Sequence, residues 1–286
     1  PRSLSGKVIA ITGGGRGIGA ATATLLAAQG AQVVIGDLDL DAAKQTADRI
    51  GSGTAALRLD VTDRDAFTAF LDDVEQRFGG LDVLINNAGI MPIARIEDET
   101  DRTTSHQLEI NLHAVIHGTR EALRRMKPRG AGHIVNIASA AGKIPLAGAA
   151  TYTATKYGVV GFTESVRAEL KGSGVDATYV CPGIVSTELS AGVTSARGIK
   201  GVTPEDVAQG IVGALQKPRA DVYVPRSIAP SVRFGQLLGR RLGEALARAL
   251  KGDRNILDAI DSPDRKEYEA RAATSAPETD RELDRT

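Results

Sequence analysis

The sequence predicts an α/β fold with a central parallel sheet and helices on both of its faces. Short β-branched runs alternate with longer amphipathic stretches from residue 7 onward, which is the pattern of βαβ units. The runs at 8–11 and 33–35 are apolar throughout, and a strand without a polar side is covered by helices on both sides. With 3% aromatic residues, the core must be filled by Ala, Val, Leu and Ile, as in close-packed helix-on-sheet layers.

The same alternation gives the order of the elements. We predict strands near residues 7–12, 32–36, 55–60, 82–86, 132–138, 175–180 and 221–224, and helices near 17–29, 40–50, 63–78, 101–127, 151–171 and 204–215. This is a doubly wound Rossmann-type sheet of about seven strands. Residues 1–225 would form a single dinucleotide-binding and catalytic domain, and residues 226–286 a C-terminal helical extension with a charged tail.

Composition argues against several classes of function. Lys and Arg together number 35, as do Asp and Glu, so no overall charge attracts nucleic acid. The one cysteine, Cys181, excludes a disulfide framework, and the four histidines form no clear metal-binding pattern. No apolar stretch is long enough for a signal peptide or a membrane span, so we expect a cytoplasmic enzyme without a catalytic metal.

A glycine-rich run follows the first strand and opens a helix. In this setting a glycine turn brings backbone amides against a pyrophosphate, although tight turns also need glycine for conformational reasons alone. The residues expected to bind a dinucleotide here are Gly13, Gly15, Arg16, Gly17, Ile18 and Gly19.

Asp37 stands at the end of the second strand, where a carboxylate can bond the hydroxyls of the adenosine ribose. A carboxylate repels a 2′-phosphate, and Leu38 follows rather than an arginine, so NAD is favoured over NADP. Arg16 argues for NADP, because its guanidinium group could approach such a phosphate. The alternative is that Asp37 merely caps the next helix.

Tyr152 and Lys156 are four residues apart, which puts both on one helix face. The pKa of a free phenol is about 10, and a neighbouring ammonium group would lower it, so that tyrosine becomes usable as an acid or base near neutral pH. Taken alone, this spacing favours an ordinary surface pair on a helix.

Together these residues resemble the short-chain dehydrogenase/reductase family, in its compact single-domain branch, over roughly residues 5–225. The glycine motif appears as Thr12-Gly13 with Gly17 and Gly19, and the strand-four motif as Asn86-Asn87-Ala88-Gly89. Ser139 lies 13 residues before Tyr152, as the family's serine usually does. Asn111 and the segment Pro182-Gly183 with Thr187 also match the family's pattern.

The resemblance implies a hydride transfer coupled to a proton relay. Tyr152 would exchange a proton with the substrate oxygen, Ser139 would hold that oxygen, Lys156 would bond the nicotinamide ribose, and Asn111 would position a water behind Lys156. Asn111 and Ser139 each have a purely structural alternative. The resemblance also places Asp60 and Val61 beside the adenine, and it adds cofactor-binding residues at Asn87, Ala88, Gly89, Tyr152, Lys156, Pro182, Gly183, Ile184 and Thr187.

We make predictions for three further segments. Residues 187–202 lack periodicity and read as a substrate lid, with an ordinary surface connection as the alternative. Residues 231–251 form a basic amphipathic pattern, which favours a helix docked on its own domain or on a partner subunit over weak contact with an anionic membrane surface. From residue 262 the chain is charged and is expected to contribute little to the core.

The function that follows is NAD-dependent interconversion of a secondary alcohol and a ketone. Eight residues could give the substrate site an apolar lining: Ile90, Met91, Pro92, Ile144, Pro145, Leu146, Ile184 and Leu189. The resemblance implies a homodimer or homotetramer. Two alternatives stay open: a membrane-peripheral enzyme acting on a lipid-like ketone or alcohol, and a non-catalytic dinucleotide-binding regulatory protein.

Overall fold

The computed structural model describes residues 1–193, 201–230 and 256–274. Within these residues one parallel sheet forms the centre of the fold, with strands in the order 3-2-1-4-5-6-7. Its strands are β1 (Val8–Thr12), β2 (Gln32–Asp37), β3 (Ala55–Arg58), β4 (Val83–Asn86), β5 (Gly132–Ile137), β6 (Val175–Pro182) and β7 (Asp221–Val224). The order reverses between β1 and β4, which creates a crevice at the carboxyl ends of these two strands.

Helices cover both faces of the sheet, as the sequence predicts. They are α1 (Gly17–Ala28), α2 (Leu40–Ile50), α3 (Arg64–Phe78), α4 (Asp101–Leu108), α5 (Ala114–Met126), α6 (Ala150–Glu169), α7 (Pro204–Gln216) and α8 (Lys266–Thr274). Successive side chains of a strand point to opposite faces. Thus Ile9 and Ile11 of β1 belong to one buried cluster, which includes α1 and α7, while Val8 and Ala10 belong to a second, which includes α3 and α5.

The region predicted as one helix over 101–127 is interrupted. A π-helical turn at Glu109–His113 separates α4 from α5 and carries the fully buried Asn111. Such wide turns recur at functional sites, because they redirect a side chain without ending the helix. Hydrophobic periodicity does not reveal a single inserted residue, so this turn could not be predicted from the sequence.

The expectation that the chain beyond residue 262 contributes little to the core is wrong. Arg265 is only 1% exposed, and Tyr268 and Ala272 of α8 pack against Ile90 and Ile110. The charged composition is compatible with burial here because the Arg265 guanidinium donates to backbone carbonyl groups.

The basic segment 231–251 lies outside the described residues, as does the middle of the expected lid at 194–200. In the described ranges, no helix combines the length and the apolar character needed to cross a membrane.

Candidate active site

A cleft of about 1460 Å³ opens at the carboxyl ends of the strands, where the strand order reverses. The structure brings nearly all of the residues predicted from sequence into its lining. They are Gly13, Gly15, Arg16, Gly17, Ile18, Asp37, Leu38, Asp60, Val61, Asn87, Ala88, Gly89, Ser139, Tyr152, Lys156, Pro182, Gly183, Ile184 and Thr187. Gly19 and Asn111 do not line the cleft and lie behind it.

The glycine turn packs too closely against its neighbours to hold side chains. Gly13 has a φ of +65°, and a Cβ atom there would lie 2.8 Å from Cα of Ala88. A Cβ atom on Gly19 would lie 2.2 Å from the carbonyl oxygen of Gly13. Gly19 therefore sets the approach of α1 to the turn instead of facing the cleft.

The N-terminus of α1 offers unused donors to the cleft. Arg16 occupies the N-cap position without a side-chain capping bond, and the first turn of the helix contains no acidic residue. The first amide groups of a helix have no intrahelical acceptor and lie at the positive end of the helix dipole. This end of α1 can hold an anionic group such as a pyrophosphate.

Asp37 faces the glycine turn and does not cap α2. Its carboxylate accepts hydrogen bonds from the amides of Gly15, at 2.8 Å, and Asp39, at 3.0 Å. The cap of α2 is Asp39, whose side chain accepts from the Ala42 amide and pairs with Arg16 at 2.6 Å. Burial raises the pKa of Asp37, while the Gly15 amide lowers it. The guanidinium group of Arg16 is already paired with a carboxylate. This weakens the argument that Arg16 binds the 2′-phosphate of NADP.

The loop after β4 is tied to the glycine turn. The Thr12 hydroxyl oxygen accepts from the amides of Asn87 and Ala88, and the Asn87 side chain donates to the carbonyl groups of Thr12 and Gly13. These bonds fix the spacing between the two loops, so Asn87 shapes the cleft as well as lining it.

Asn111 holds the same loop from behind. Its Oδ1 atom accepts from the Ile90 amide at 2.9 Å, and its Nδ2 atom donates to the Ile90 carbonyl at 2.8 Å. The structural alternative for Asn111 is therefore visible, and the relay role stays a prediction. A Cβ atom added to Gly89 would lie 3.1 Å from Asn111 Oδ1 and 3.6 Å from Lys156 Nζ, so both polar groups border this glycine.

Ser139, Tyr152 and Lys156 converge in the cleft. The Ser139 hydroxyl accepts from the Ala141 amide at 3.1 Å, and it lies close enough to the Tyr152 hydroxyl to lower the pKa of that phenol. Lys156 Nζ lies 5.6 Å from the centre of the Tyr152 ring and donates to the Ile137 carbonyl at 3.0 Å. A hydroxyl pair and a cation thus meet beside the glycine-rich half of the cleft.

The expected direction of the Tyr152 pKa shift is not found. Burial raises the pKa of Tyr152 to about 12, and the nearby Ser139 hydroxyl only partly opposes this. Burial also lowers the pKa of Lys156 to about 8. Residue spacing predicts the neighbouring cation but not the loss of solvent around it, and here desolvation is the larger effect.

The chain is similar in sequence to a known family of proteins. The family model described as short chain dehydrogenase matches residues 7–198. The chain belongs to the short-chain dehydrogenase family. It is 33% identical over 241 residues to an uncharacterised oxidoreductase of Staphylococcus saprophyticus, covering 80% of this chain and 98% of that one.

Two further similarities support the membership. A 3-alpha-(or 20-beta)-hydroxysteroid dehydrogenase of Mycobacterium tuberculosis is 37% identical over 215 residues, covering 75% of this chain and 79% of that protein. The crystal structure of a short-chain dehydrogenase/reductase from Burkholderia phymatum in complex with NAD superposes with a TM-score of 0.76 and 27% identity, covering 82% of this chain and 94% of that one. The resemblance and the fold class predicted from sequence are both confirmed.

The substrate end of the cleft has a largely apolar lining. Six of the eight apolar residues suggested from sequence line it, and Pro92 and Pro145 do not. The described part of the expected lid also borders the cleft, through Glu188, Leu189 and Val193. Sequence reasoning missed five lining residues from the C-terminal segment: Ile256, Tyr268, Arg271, Ala272 and Thr274.

Cys181 and the histidines take no part in the candidate chemistry. Cys181 is buried, and burial raises the pKa of its thiol to about 12, so a thiolate nucleophile is disfavoured. Over the described part of the chain, no group of three or more His, Cys, Asp or Glu side chains is placed to hold a metal ion.

Proposed function

We propose that this short-chain dehydrogenase is an NAD-dependent oxidoreductase that interconverts a secondary alcohol and a ketone, with Tyr152 as its general acid and base. The observation that carries the proposal is the meeting of the Tyr152 and Ser139 hydroxyls, with Lys156 beside them, in the cleft that contains the glycine turn. A hydroxyl pair of this kind can bind one carbonyl oxygen and supply its proton.

The residues on the other side of the cleft fit a dinucleotide. Gly15 and Gly17 line the cleft without side chains, so the start of α1 can be approached, and its uncapped amides can receive the pyrophosphate. Asp37 would accept the ribose hydroxyls, with Leu38, Asp60 and Val61 around the adenosine. When bound, the nicotinamide supplies or accepts the hydride.

The protein supplies the proton and the alignment. In reduction, Tyr152 donates its hydroxyl proton to the substrate oxygen as the carbonyl carbon gains a hydride, and Ser139 donates a hydrogen bond to the same oxygen. In oxidation, the phenolate takes the proton back. Because burial raises the pKa of Tyr152 to about 12, the phenol is protonated near neutral pH and suits the reducing direction.

Lys156 and Asn111 have supporting roles in this proposal. Lys156 is anchored to the Ile137 carbonyl, and its remaining protons can bond the ribose of the nicotinamide nucleotide. Asn111 fixes the Ile90 backbone, and with it the loop after β4. Its proposed water relay would run behind Lys156, where its Oδ1 atom borders Gly89.

The substrate is proposed to have an apolar body. Tyr152 belongs to a buried apolar cluster with Met91, Ile93, Ala149 and Ile256, so the proton donor is surrounded by hydrocarbon. The Mycobacterium relative named as a hydroxysteroid dehydrogenase agrees with an apolar alcohol or ketone. We further propose that the protein forms homodimers or homotetramers and is cytoplasmic.

NAD is proposed over NADP. Asp37 would oppose a 2′-phosphate, and Arg16 is paired with Asp39. The solved Burkholderia relative is itself a complex with NAD.

The assay that tests this function follows NADH formation with a panel of secondary alcohols of increasing apolar size, and NADH consumption with the matching ketones. We expect stoichiometric alcohol-to-ketone conversion with NAD and weaker turnover with NADP. Cofactor binding without turnover across the panel would contradict the proposal and favour a regulatory dinucleotide-binding protein.

A further inference from the structure

The C-terminal strap, residues 256–274, lines one side of the cleft. Its first residues pack on the substrate side: Ile256 contributes to the apolar cluster around Tyr152, and a Cβ atom on Gly148 would lie 3.3 Å from Ile256 Cγ2. Its helix α8 packs through Tyr268 and Ala272 against Ile90 and Ile110. The strap therefore contacts the segment that follows β4 and the segment that follows β5. It also contacts the segment that follows β6, through the hydrogen bonds of Arg265.

Arg265 joins two of these segments. Its Nη2 atom donates to the Met91 carbonyl at 2.7 Å, after β4. Its Nη1 atom donates to the carbonyls of Leu189, at 3.2 Å, and Ala191, at 3.0 Å, after β6. Glu269, one turn along α8, accepts from the same guanidinium at 2.8 Å. One buried side chain thus ties together two loops that line the cleft.

The burial of Arg265 makes this arrangement specific. A buried guanidinium is tolerated only when its donors are satisfied, and here three loop carbonyls and one carboxylate satisfy it together. If either loop moved away, the cation would lose acceptors while still shielded from water. The two loops and the strap are therefore expected to open and close as one unit.

Tyr268 completes the wall. Its hydroxyl oxygen accepts from the Met91 amide at 2.7 Å, and its ring lies 5.0 Å from the Arg265 guanidinium carbon. With the hydroxyl engaged, the ring offers the cleft an apolar surface. The outer ion pair between Arg271 and Glu188, at 2.6 Å, is partly exposed and adds little by comparison.

We propose that the C-terminal strap encloses the substrate and retains the bound cofactor, and that Arg265 is the positioning residue that holds it closed. The enclosure of the substrate rests on the proposed function. The retention of the cofactor rests on dinucleotide binding alone. Opening of the strap then precedes release of NADH, and Tyr268 and Ile256 limit the bulk of the substrate.

The experiment compares Arg265→Leu, Arg265→Lys and the control Lys266→Ala, an exposed neighbour on α8. The dissociation rate of NADH is measured by stopped-flow fluorescence, and KM and kcat are measured with the best alcohol from the panel. We expect Arg265→Leu to raise the NADH dissociation rate by about tenfold or more, and to raise KM more than it lowers kcat. Arg265→Lys should restore part of the effect, because an ammonium keeps the charge but not the fork that reaches both loops. Lys266→Ala should behave as the wild type.

Two outcomes overturn the inference. One is an Arg265→Leu protein with unchanged NADH release and unchanged KM. The other is a loss of kcat alone with unchanged KM and release, which indicates a merely structural residue. Should Arg265→Leu fail to fold, Arg265→Lys carries the same test. Tyr268→Phe, which keeps the ring and loses the acceptor for Met91, should then give a smaller rise in NADH release.

The two proposals can fail separately. Without turnover in the wild type, faster NADH release in Arg265→Leu still supports the strap while the proposed function falls. With normal turnover and Arg265 variants that resemble Lys266→Ala, the strap falls and the proposed function stands. A wild type that binds no NADH contradicts both.

Discussion

Lys156 Nζ donates a hydrogen bond to the carbonyl oxygen of Ile137 at 3.0 Å, where only 4% of the lysine is exposed. Burial lowers the pKa of this ammonium group from 10.5 to about 8, so the folded protein at pH 7 holds a charge that the unfolded chain would hold at lower cost. We predict that Lys156→Met raises the free energy of unfolding at pH 7 by about 1–3 kcal/mol and abolishes turnover.

Urea unfolding at several pH values checks this prediction. The gain should shrink as the pH rises from about 8 and should disappear above about 10.5, where the lysine is neutral in both states. Lys44→Met, at an exposed position of α2, is the matched control and should change stability little. A Lys156→Met protein less stable than the wild type at pH 7 would show that the ammonium bonds outweigh its burial.

The raised pKa of Tyr152 makes the two reaction directions differ in their pH dependence. Reduction needs the protonated phenol, which is present across the neutral range, whereas oxidation needs the phenolate, which becomes commoner as the pH approaches about 12. We predict that kcat/KM for alcohol oxidation rises steadily between about pH 7 and 9, while that for ketone reduction stays nearly flat. Initial rates in both directions measure this. An oxidation optimum near neutral pH would contradict a phenol with a raised pKa.

His133 is predicted to make the fold sensitive to acid. Burial lowers its pKa from 6.5 to about 4, and its Nε2 atom bonds the Thr178 hydroxyl at 2.8 Å. Because its pKa in the folded state is the lower one, its contribution to stability is complete above about pH 6.5 and is lost as the pH falls towards 4. The loss should reach up to about 3 kcal/mol.

Thermal and urea unfolding from pH 7 to pH 4 test this, with His133→Gln as the variant and His113→Gln, on an exposed site beside Glu109, as the control. His133→Gln should lose less stability on acidification than the wild type. If stability falls equally with pH in the wild type and in His133→Gln, His133 is not the acid-sensitive group.

The choice of cofactor is predicted to depend on Asp37. Asp37→Ser removes the carboxylate that would bond the ribose hydroxyls and repel a 2′-phosphate, so NADH should bind about 10- to 100-fold more weakly and the preference over NADPH should narrow. Equilibrium binding of the two reduced cofactors, measured by fluorescence, checks this. Asp41→Ser, on the exposed side of α2, should leave both affinities unchanged. If the ratio of the NADH and NADPH affinities is unchanged in Asp37→Ser, Asp37 does not select the cofactor.

The sequence predicted those parts of the molecule that local chemistry determines. Short runs that are apolar throughout predicted the strands, because a strand buried on both faces has no polar side. The spacing of Tyr152 and Lys156 predicted that both lie on one helix face, and the resemblance to the family implied that they share a site with the glycine turn. In each case the signal lies within a few residues along the chain.

The parts that could not be predicted depend on distant contacts or on burial. Arg265 and Met91 are 174 residues apart, and nothing near Arg265 indicates that its charge lies against loop carbonyls. Nothing near Tyr268 or Asn111 in the sequence indicates that Tyr268 accepts from the Met91 amide or that Asn111 accepts from the Ile90 amide. The raised pKa of Tyr152 follows from the enclosure of the cleft, which residue spacing does not report.

The most direct test of the central claim compares Tyr152→Phe with Tyr157→Phe, a tyrosine of the same helix that is 43% exposed. Turnover and NADH binding are measured on both proteins. The account predicts that Tyr152→Phe loses about 10²- to 10⁴-fold in kcat while still binding NADH, and that Tyr157→Phe resembles the wild type. Tyr152→Phe with wild-type turnover would contradict it.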